Sequence, residues 1–299
     1  MAKDNSDAGL LVWRDLTQAA LDAAYDQTAY ATNREQVLKR YAINSERCRH
    51  RLGPPQRFAY GVGEKESIDV YRGPSPKAPI NIFIYGGAWR AGSAADYGFP
   101  AELFVRAGAN FAVPDFDWVQ DRDGDLTPIA DQVRRAIAWT WHNANQFGGD
   151  PDRLFLSAHS SGAHLAGVAL TTDWEAEFGL PNDAIKGALL CSGIYDLEPV
   201  RLSARSSYVT FTDESEAALS PIRHIARINC PIILAYGTLE TPEFQRQSQD
   251  FATALAAHGH DCTHLVGDAL NHFEILETLA MPDGLLGRAV LEKMRLAET

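Results

Sequence analysis

Residues 154–167, LFLSAHSSGAHLAG, decide how this chain reads. An apolar run stops at a cluster of small residues, and a helix-like pattern follows at once. Two serines stand side by side at the join, Ser160 and Ser161. A strand running straight into a helix points to an α/β architecture. A serine at such a turn is either a nucleophile or a cap for the helix that follows.

Sterics choose between the serines. The nucleophile-elbow pattern Gly-x-Ser-x-Gly holds its serine in a strained backbone, so the residues two positions away must be small. Ser160 has Ala158 and Gly162 there. Ser161 would have His159 and Ala163, and the imidazole would be crowded. Ser157 has nothing small at position 155. Ser160 is the candidate nucleophile, with Ala158 standing where glycine is usual.

Outward from this stretch, strands alternate with helices. Residues 9–42 read as helical, and 57–72 as two strands around a turn at Gly63-Glu64-Lys65. The runs 78–87, 110–118, 152–158, 185–193, 230–237 and 262–268 read as further strands. Helical patterns cover about 94–107, 127–146, 161–171, 242–258 and 284–297. The strands are continuous apolar runs, which indicates a mostly parallel sheet with helices on both faces. No linker or repeat interrupts the pattern, so residues 1–299 read as a single domain. It opens with a helical N-terminal segment over 1–50. The polar, irregular stretch 194–229 reads as a cap-like excursion over one end of the sheet.

The bulk numbers exclude several functions. With 299 residues, 45% of them hydrophobic, the chain can bury a sizeable core. A net charge of -12 repels nucleic acid and anionic membrane. No apolar run approaches the roughly 20 residues of a membrane span, and the first residues show no leader-like run, so a cytoplasmic location is expected. Cys48, Cys191, Cys230 and Cys262 are scattered and read as buried free thiols. No metal-ligand spacing appears, and no cofactor is expected; His159 and His164 read as core or surface histidines. No heptad or edge motif decides oligomeric state, which leaves a homo-oligomer open.

A serine needs a base, an orienting acid and donors for the oxyanion. With this elbow the chain order is Ser, then Asp or Glu, then His. His272 lies just after the last strand, where the base belongs. His258 and His260 flank a helix-end glycine, and His264 lies within the strand. For the acid, Glu240 sits in the loop after the strand at 230–237. Glu243 has a simpler role in the first turn of a helix capped by Thr241 and begun by Pro242. Asp196 is the fallback. Gly86 and Gly87 end an earlier strand and fit an oxyanion loop, completed by the N–H of Ser161.

With these residues in place, the chain resembles the arylformamidase (kynurenine formamidase) branch of the α/β-hydrolases over about residues 20–295. The likeness is carried by HSSGAHLAGVALTTDW (159–174), SGIYDLEPV (192–200), ETPEFQRQS (240–248) and NHFEILETL (271–279). It implies Ser160 as nucleophile, His272 as base, Glu240 in place of the usual aspartate, and Gly86 and Gly87 as the His-Gly-Gly loop. Trp89 matches the aromatic just beyond that loop, and Tyr85 replaces its histidine. The implied activity is removal of a small, formyl-like acyl group from an aryl amide or ester. Trp89 and Tyr85 would hold the aryl group, with Tyr208 and Phe211 added from the excursion. The alternatives are a carboxylesterase for small or aryl esters and, in another class, a non-catalytic hydrolase-fold binding protein. The complete Ser160, His272 and Glu240 set argues against the last.

Overall fold

The computed structural model describes residues 10–296. The first residues, where no leader was read, lie largely outside that span. A short hairpin, β1 (Leu11–Trp13) and β2 (Leu16–Thr17), precedes the main sheet. The sheet holds β3 (Gln56–Ala59), β4 (Ser67–Tyr71), β5 (Ala78–Ile84), β6 (Asn110–Pro114), β7 (Gly149–His159), β8 (Ile185–Cys191), β9 (Ile232–Gly237) and β10 (Cys262–Gly267). Their order across it is β10-β9-β8-β7-β5-β6-β4-β3. Every pairing from β6 to β10 is parallel, and only β3–β4 and β4–β6 are antiparallel. The mostly parallel sheet expected from the continuous apolar runs is therefore present.

Burial explains that sequence signature. All seven residues of β5 and all six of β9 are buried. Helices cover both faces, so no position on these strands meets water. Each fully buried Ile or Phe, such as Ile82, Phe83 and Ile84, contributes roughly 1.5–3 kcal/mol. The helix Ser161–Leu170 is buried at all ten positions, as a helix apolar on every side must be.

Three expectations fail locally. Residues 9–42 are not one helix. The hairpin leads to a short helix, Gln18–Ala24, then a loop, then a longer helix, Arg34–Leu52. Side chains captured the backbone where periodicity read on. Thr17 accepts the Ala20 N–H, and Asp26 accepts the Thr28 N–H in the loop. The patterns at 94–107 and 284–297 shrink to Ala101–Arg106 and Leu285–Lys293. The 194–229 excursion is built of short helical pieces, Glu198–Leu202, Ala204–Ser207, Asp213–Ala218 and Pro221–Arg227. All four cysteines are free, and Cys262 is the one that is only partly buried.

The register aligns the carboxyl ends of the central strands. Ile84 pairs with Ala158, His159 with Cys191, and Gly237 with Gly267. The loops after β5, β7, β8, β9 and β10 therefore leave the sheet at one end, which is where open α/β sheets bind ligands.

Candidate active site

The turn after β7 is strained. Ser160 has φ 56° and ψ −126°, a conformation costly for any residue with a side chain. The backbone leaves no room beside it. A Cβ on Gly162 would lie 2.2 Å from the Ile84 carbonyl oxygen and 2.3 Å from that of Tyr85. A Cβ on Gly86 would lie 2.8 Å from the Ser160 Cβ. Ala158 stands where glycine is usual and is accommodated in the sheet between Ile84 and Leu190. The turn projects Ser160 from the sheet end while the next helix packs against the end of β5.

Two loops bring His272 and Glu240 to this serine. His272 Nε2 lies 2.9 Å from Ser160 Oγ, and His272 Nδ1 lies 2.7 Å from Glu240 Oε2. A carboxylate only accepts, so Nδ1 carries the proton and Nε2 is left to accept the serine hydroxyl. Glu240 is buried, and its second oxygen is satisfied as well. Oε1 accepts the Gly237 N–H at 2.7 Å and the Ser192 hydroxyl at 2.6 Å. Ser192 sits at φ 54° to make that contact. Asp196 stays away from His272; Gln247 bonds its backbone, and its carboxylate caps Glu198. Glu243 pairs with Arg246 and accepts the Tyr25 hydroxyl. Thr241 uses its hydroxyl on the Ala24 carbonyl rather than to cap its own helix.

The glycine loop after β5 closes over the serine. Gly87 has φ 133°, and a Cβ there would lie 2.1 Å from the Ala91 carbonyl oxygen. Ala88 and Trp89 also have positive φ. Trp89 donates its backbone N–H to Ser161 Oγ at 3.2 Å, which ties the loop to the elbow helix. Among the described residues, no acceptor pairs with the N–H groups of Gly87, Ala88 or Ser161. Gly87 and Ala88 line the cavity above Ser160. Ala88 was missed in the sequence because only its glycine neighbours carry a visible signal.

That cavity holds about 940 Å³ and is lined by Ser160, His159 and His272 together with residues from the N-terminal segment and the excursion. Tyr208 lines it. Tyr85, Trp89 and Phe211 do not. Tyr85 is 1% exposed, stacked on Tyr97 and Phe116, with its hydroxyl on Asp115 at 3.2 Å. Burial, then the Asp115 charge, holds its phenol well above the usual range. Trp89 is 2% exposed and donates its indole N–H to His164 Nδ1 at 3.1 Å. His164 Nε2 must then donate to the Leu219 carbonyl, at 2.8 Å, and burial pushes its pKa down to about 4. Phe211 packs against the core. Residues following a strand alternate in direction, so an aromatic beside the glycine loop can turn into the protein instead of the cavity.

Two further residues belong to the site. His159 is buried directly behind His272, with ring centres 4.7 Å apart. Its Nε2 lies 2.7 Å from the His272 carbonyl oxygen, which makes Nε2–H the donor. Burial holds it well below the usual histidine range. Arg205, from the excursion, lines the cavity beside Tyr208. Neither had a spacing signal in the sequence. Among the described residues, no cluster of three or more metal-ligating side chains occurs. No described helix is long and apolar enough to cross a membrane.

Comparison with known proteins places this geometry in context. The family model BD-FAE matches residues 68–192. The kynurenine formamidase of Danio rerio is 30% identical over 293 residues, which cover 94% of this chain and 97% of that protein. Esterase LipQ of Mycobacterium tuberculosis is 29% identical over 245 residues, covering 70% of this chain and 56% of its own. Among solved structures, a Silicibacter protein provisionally assigned as a thioesterase superposes with a TM-score of 0.77 at 23% identity, covering 88% of this chain and 95% of its own. That last likeness shows the α/β-hydrolase fold alone.

Proposed function

The chain belongs to the kynurenine formamidase family of α/β-hydrolases and is a hydrolase, and from this premise we propose that Ser160, His272 and Glu240 carry a two-step acyl transfer that removes a small, formyl-like acyl group from an aryl amide. The observation that supports it most is the buried hydrogen-bonded chain from Glu240 through His272 to a strained Ser160 facing the cavity. His272 takes the Ser160 proton as Oγ attacks the carbonyl carbon. The oxyanion that forms is received by the N–H groups of Gly87 and Ser161, with Ala88 beside them. His272 then passes its proton to the leaving amine. Water adds to the acyl-enzyme, giving its proton to His272; the bond to Ser160 Oγ then breaks, Oγ takes that proton back from His272, and the acid product leaves. Glu240 stays ionised and holds the imidazole in the productive tautomer. The cramped glycine loop favours a small acyl group, and the large cavity favours a larger leaving group.

Carboxylester cleavage is the second reading, supported by the likeness to esterases such as LipQ. Turnover of N-formyl-L-kynurenine beside p-nitrophenyl acetate separates the two, with Ser160→Ala as the blank. A far larger kcat/KM for the formamide is the expected result. Ester turnover with a silent formamide would move the assignment to the esterases.

A further inference from the structure

Three consecutive residues of the glycine loop sit at positive φ: Gly87 at 133°, Ala88 at 54° and Trp89 at 62°. Glycine tolerates this, but alanine and tryptophan do so only where their surroundings hold them. Trp89 is held at three points. Its backbone N–H donates to Ser161 Oγ at 3.2 Å, its carbonyl accepts the Val119 N–H at 2.7 Å, and its indole N–H donates to His164 Nδ1 at 3.1 Å. Ser161 and His164 stand three residues apart on the helix Ser161–Leu170, so their side chains are neighbours on its surface. That helix therefore grips the loop twice, once through its backbone and once through the indole ring.

His164 is fully buried, in a helix buried at all ten positions. An imidazole loses hydration there that a leucine never had, so its polar atoms must be used. Both nitrogens are. Nε2–H donates to the Leu219 carbonyl at 2.8 Å, which leaves Nδ1 as the acceptor for Trp89. Burial pushes the pKa down to about 4, so the ring keeps that lone pair at neutral pH. The imidazole and indole meet edge to face, with centres 5.2 Å apart and planes at 84°. Leu219 fixes the tautomer of His164 as Glu240 fixes that of His272, with the opposite nitrogen protonated. Leu219 also caps the helix Asp213–Ala218 of the excursion. One imidazole thus joins the glycine loop, the elbow helix and the excursion.

We propose that His164 is a positioning residue for the oxyanion donors: by accepting the Trp89 indole N–H, it holds the strained glycine loop where the N–H groups of Gly87 and Ser161 converge on one oxygen. It touches no substrate and acts through Trp89. The proposal rests on the acyl-transfer reading of Ser160 above, because an oxyanion formed at Ser160 is what needs those donors. Its effect falls on the transition state, where that charge develops, and leaves ground-state binding alone.

The test measures kcat and KM for N-formyl-L-kynurenine and p-nitrophenyl acetate, with a thermal melt of each variant. His164→Leu removes the acceptor, and Trp89→Phe removes the donor while keeping an aromatic ring. Each is expected to lower kcat about 10–100-fold with KM within about twofold, the scale of a donor displaced by about 1 Å. The double variant should lose no more than either single one, since both break the same bond. His164→Asn can still present an acceptor to the indole and should recover most of the rate. An aryl trifluoromethyl ketone, which forms an oxyanion adduct on Ser160, should weaken by the same factor as kcat/KM, while the deformylated amine binds as it does to wild type. If His164→Leu does not fold, the Trp89→Phe result decides by itself. Ester turnover with a silent formamide removes the formamidase reading, and the His164 comparison is then read on the ester. A wild type silent on both substrates and on the ketone overturns both readings. A folded His164→Leu or Trp89→Phe with wild-type kcat, losses that add in the double variant, or a loss in KM alone overturns the His164 proposal and leaves the acyl-transfer reading in place.

Discussion

The cavity above Ser160 has a floor and a wall, and they are built on different principles. The floor is the sheet end: Ser160, Ser192, Glu240 and His272 all leave strands whose register is set by the central sheet. Two of these residues, Ser160 and Ser192, are held at positive φ, and each of the four is tied to another by a short hydrogen bond. The wall comes from the N-terminal segment and the 203–208 stretch. There Tyr25, Arg205 and Tyr208 are joined by cation–π contacts and hydrogen bonds at the edge of the core. Backbone geometry can fix a reaction, because every strand end has one position in the sheet. Side chains from separate segments set which molecule is admitted, because they can change one at a time.

Breaking the floor should cost most. Ser160→Ala or His272→Ala is expected to lower kcat about 10⁶-fold with an unchanged melting temperature, read by steady-state kinetics beside a thermal melt. Glu240→Gln leaves shape but spoils the tautomer, so kcat should fall about 10⁴-fold. A loss under tenfold would show that Glu240 does not orient the base. Gly162→Ala pushes a methyl group into the Ile84 and Tyr85 carbonyls and should cost about 3 kcal/mol; an unchanged melting temperature would contradict that packing.

The wall should respond more gently and in different quantities. Tyr208→Ala removes a cavity-lining ring and should raise KM several-fold. Phe211→Ala should leave KM alone and lower stability by roughly 1–2 kcal/mol, since that ring packs on the core. A KM effect at Phe211 equal to that at Tyr208 would erase the distinction drawn here.

Acid provides the most graded test. His164 is neutral in the folded protein, with its pKa lowered from 6.5 to about 4 by burial. The unfolded chain therefore binds the extra proton first, and stability is lost as pH falls below 6.5. Roughly 2 kcal/mol should go between pH 7 and pH 5. Denaturant melts should show less of this loss in His164→Gln, in which the titrating group is gone.

Much of the floor is legible without coordinates. Ser160 is singled out by Ala158 and Gly162, and His272 and Glu240 by their places after the last two strands. What misled was local. Tyr85 and Trp89 flank the glycine loop, and the family resemblance implied a place for them against the aryl group. Tyr85 instead stacks between Tyr97 and Phe116, and Trp89 is claimed by His164. The 9–42 segment looked helical because its apolar spacing is helical. Backbone N–H groups that donate to the Thr17 and Asp26 side chains broke it into pieces, and those pieces are what reach the cavity.

The amino-acid sequence by itself determined the alternation of strand and helix, the parallel sheet, and the chain order in which Ser160, Glu240 and His272 follow the ends of their strands. These follow from periodicities and steric limits that act within a few residues. Only the tertiary structure decided that Ala88, His159, Ser192 and Arg205 belong to the site and that Tyr85, Trp89 and Phe211 do not line it. A cavity is closed by side chains far apart in the chain, such as Tyr25 and Tyr208, and no local pattern records which of them will meet.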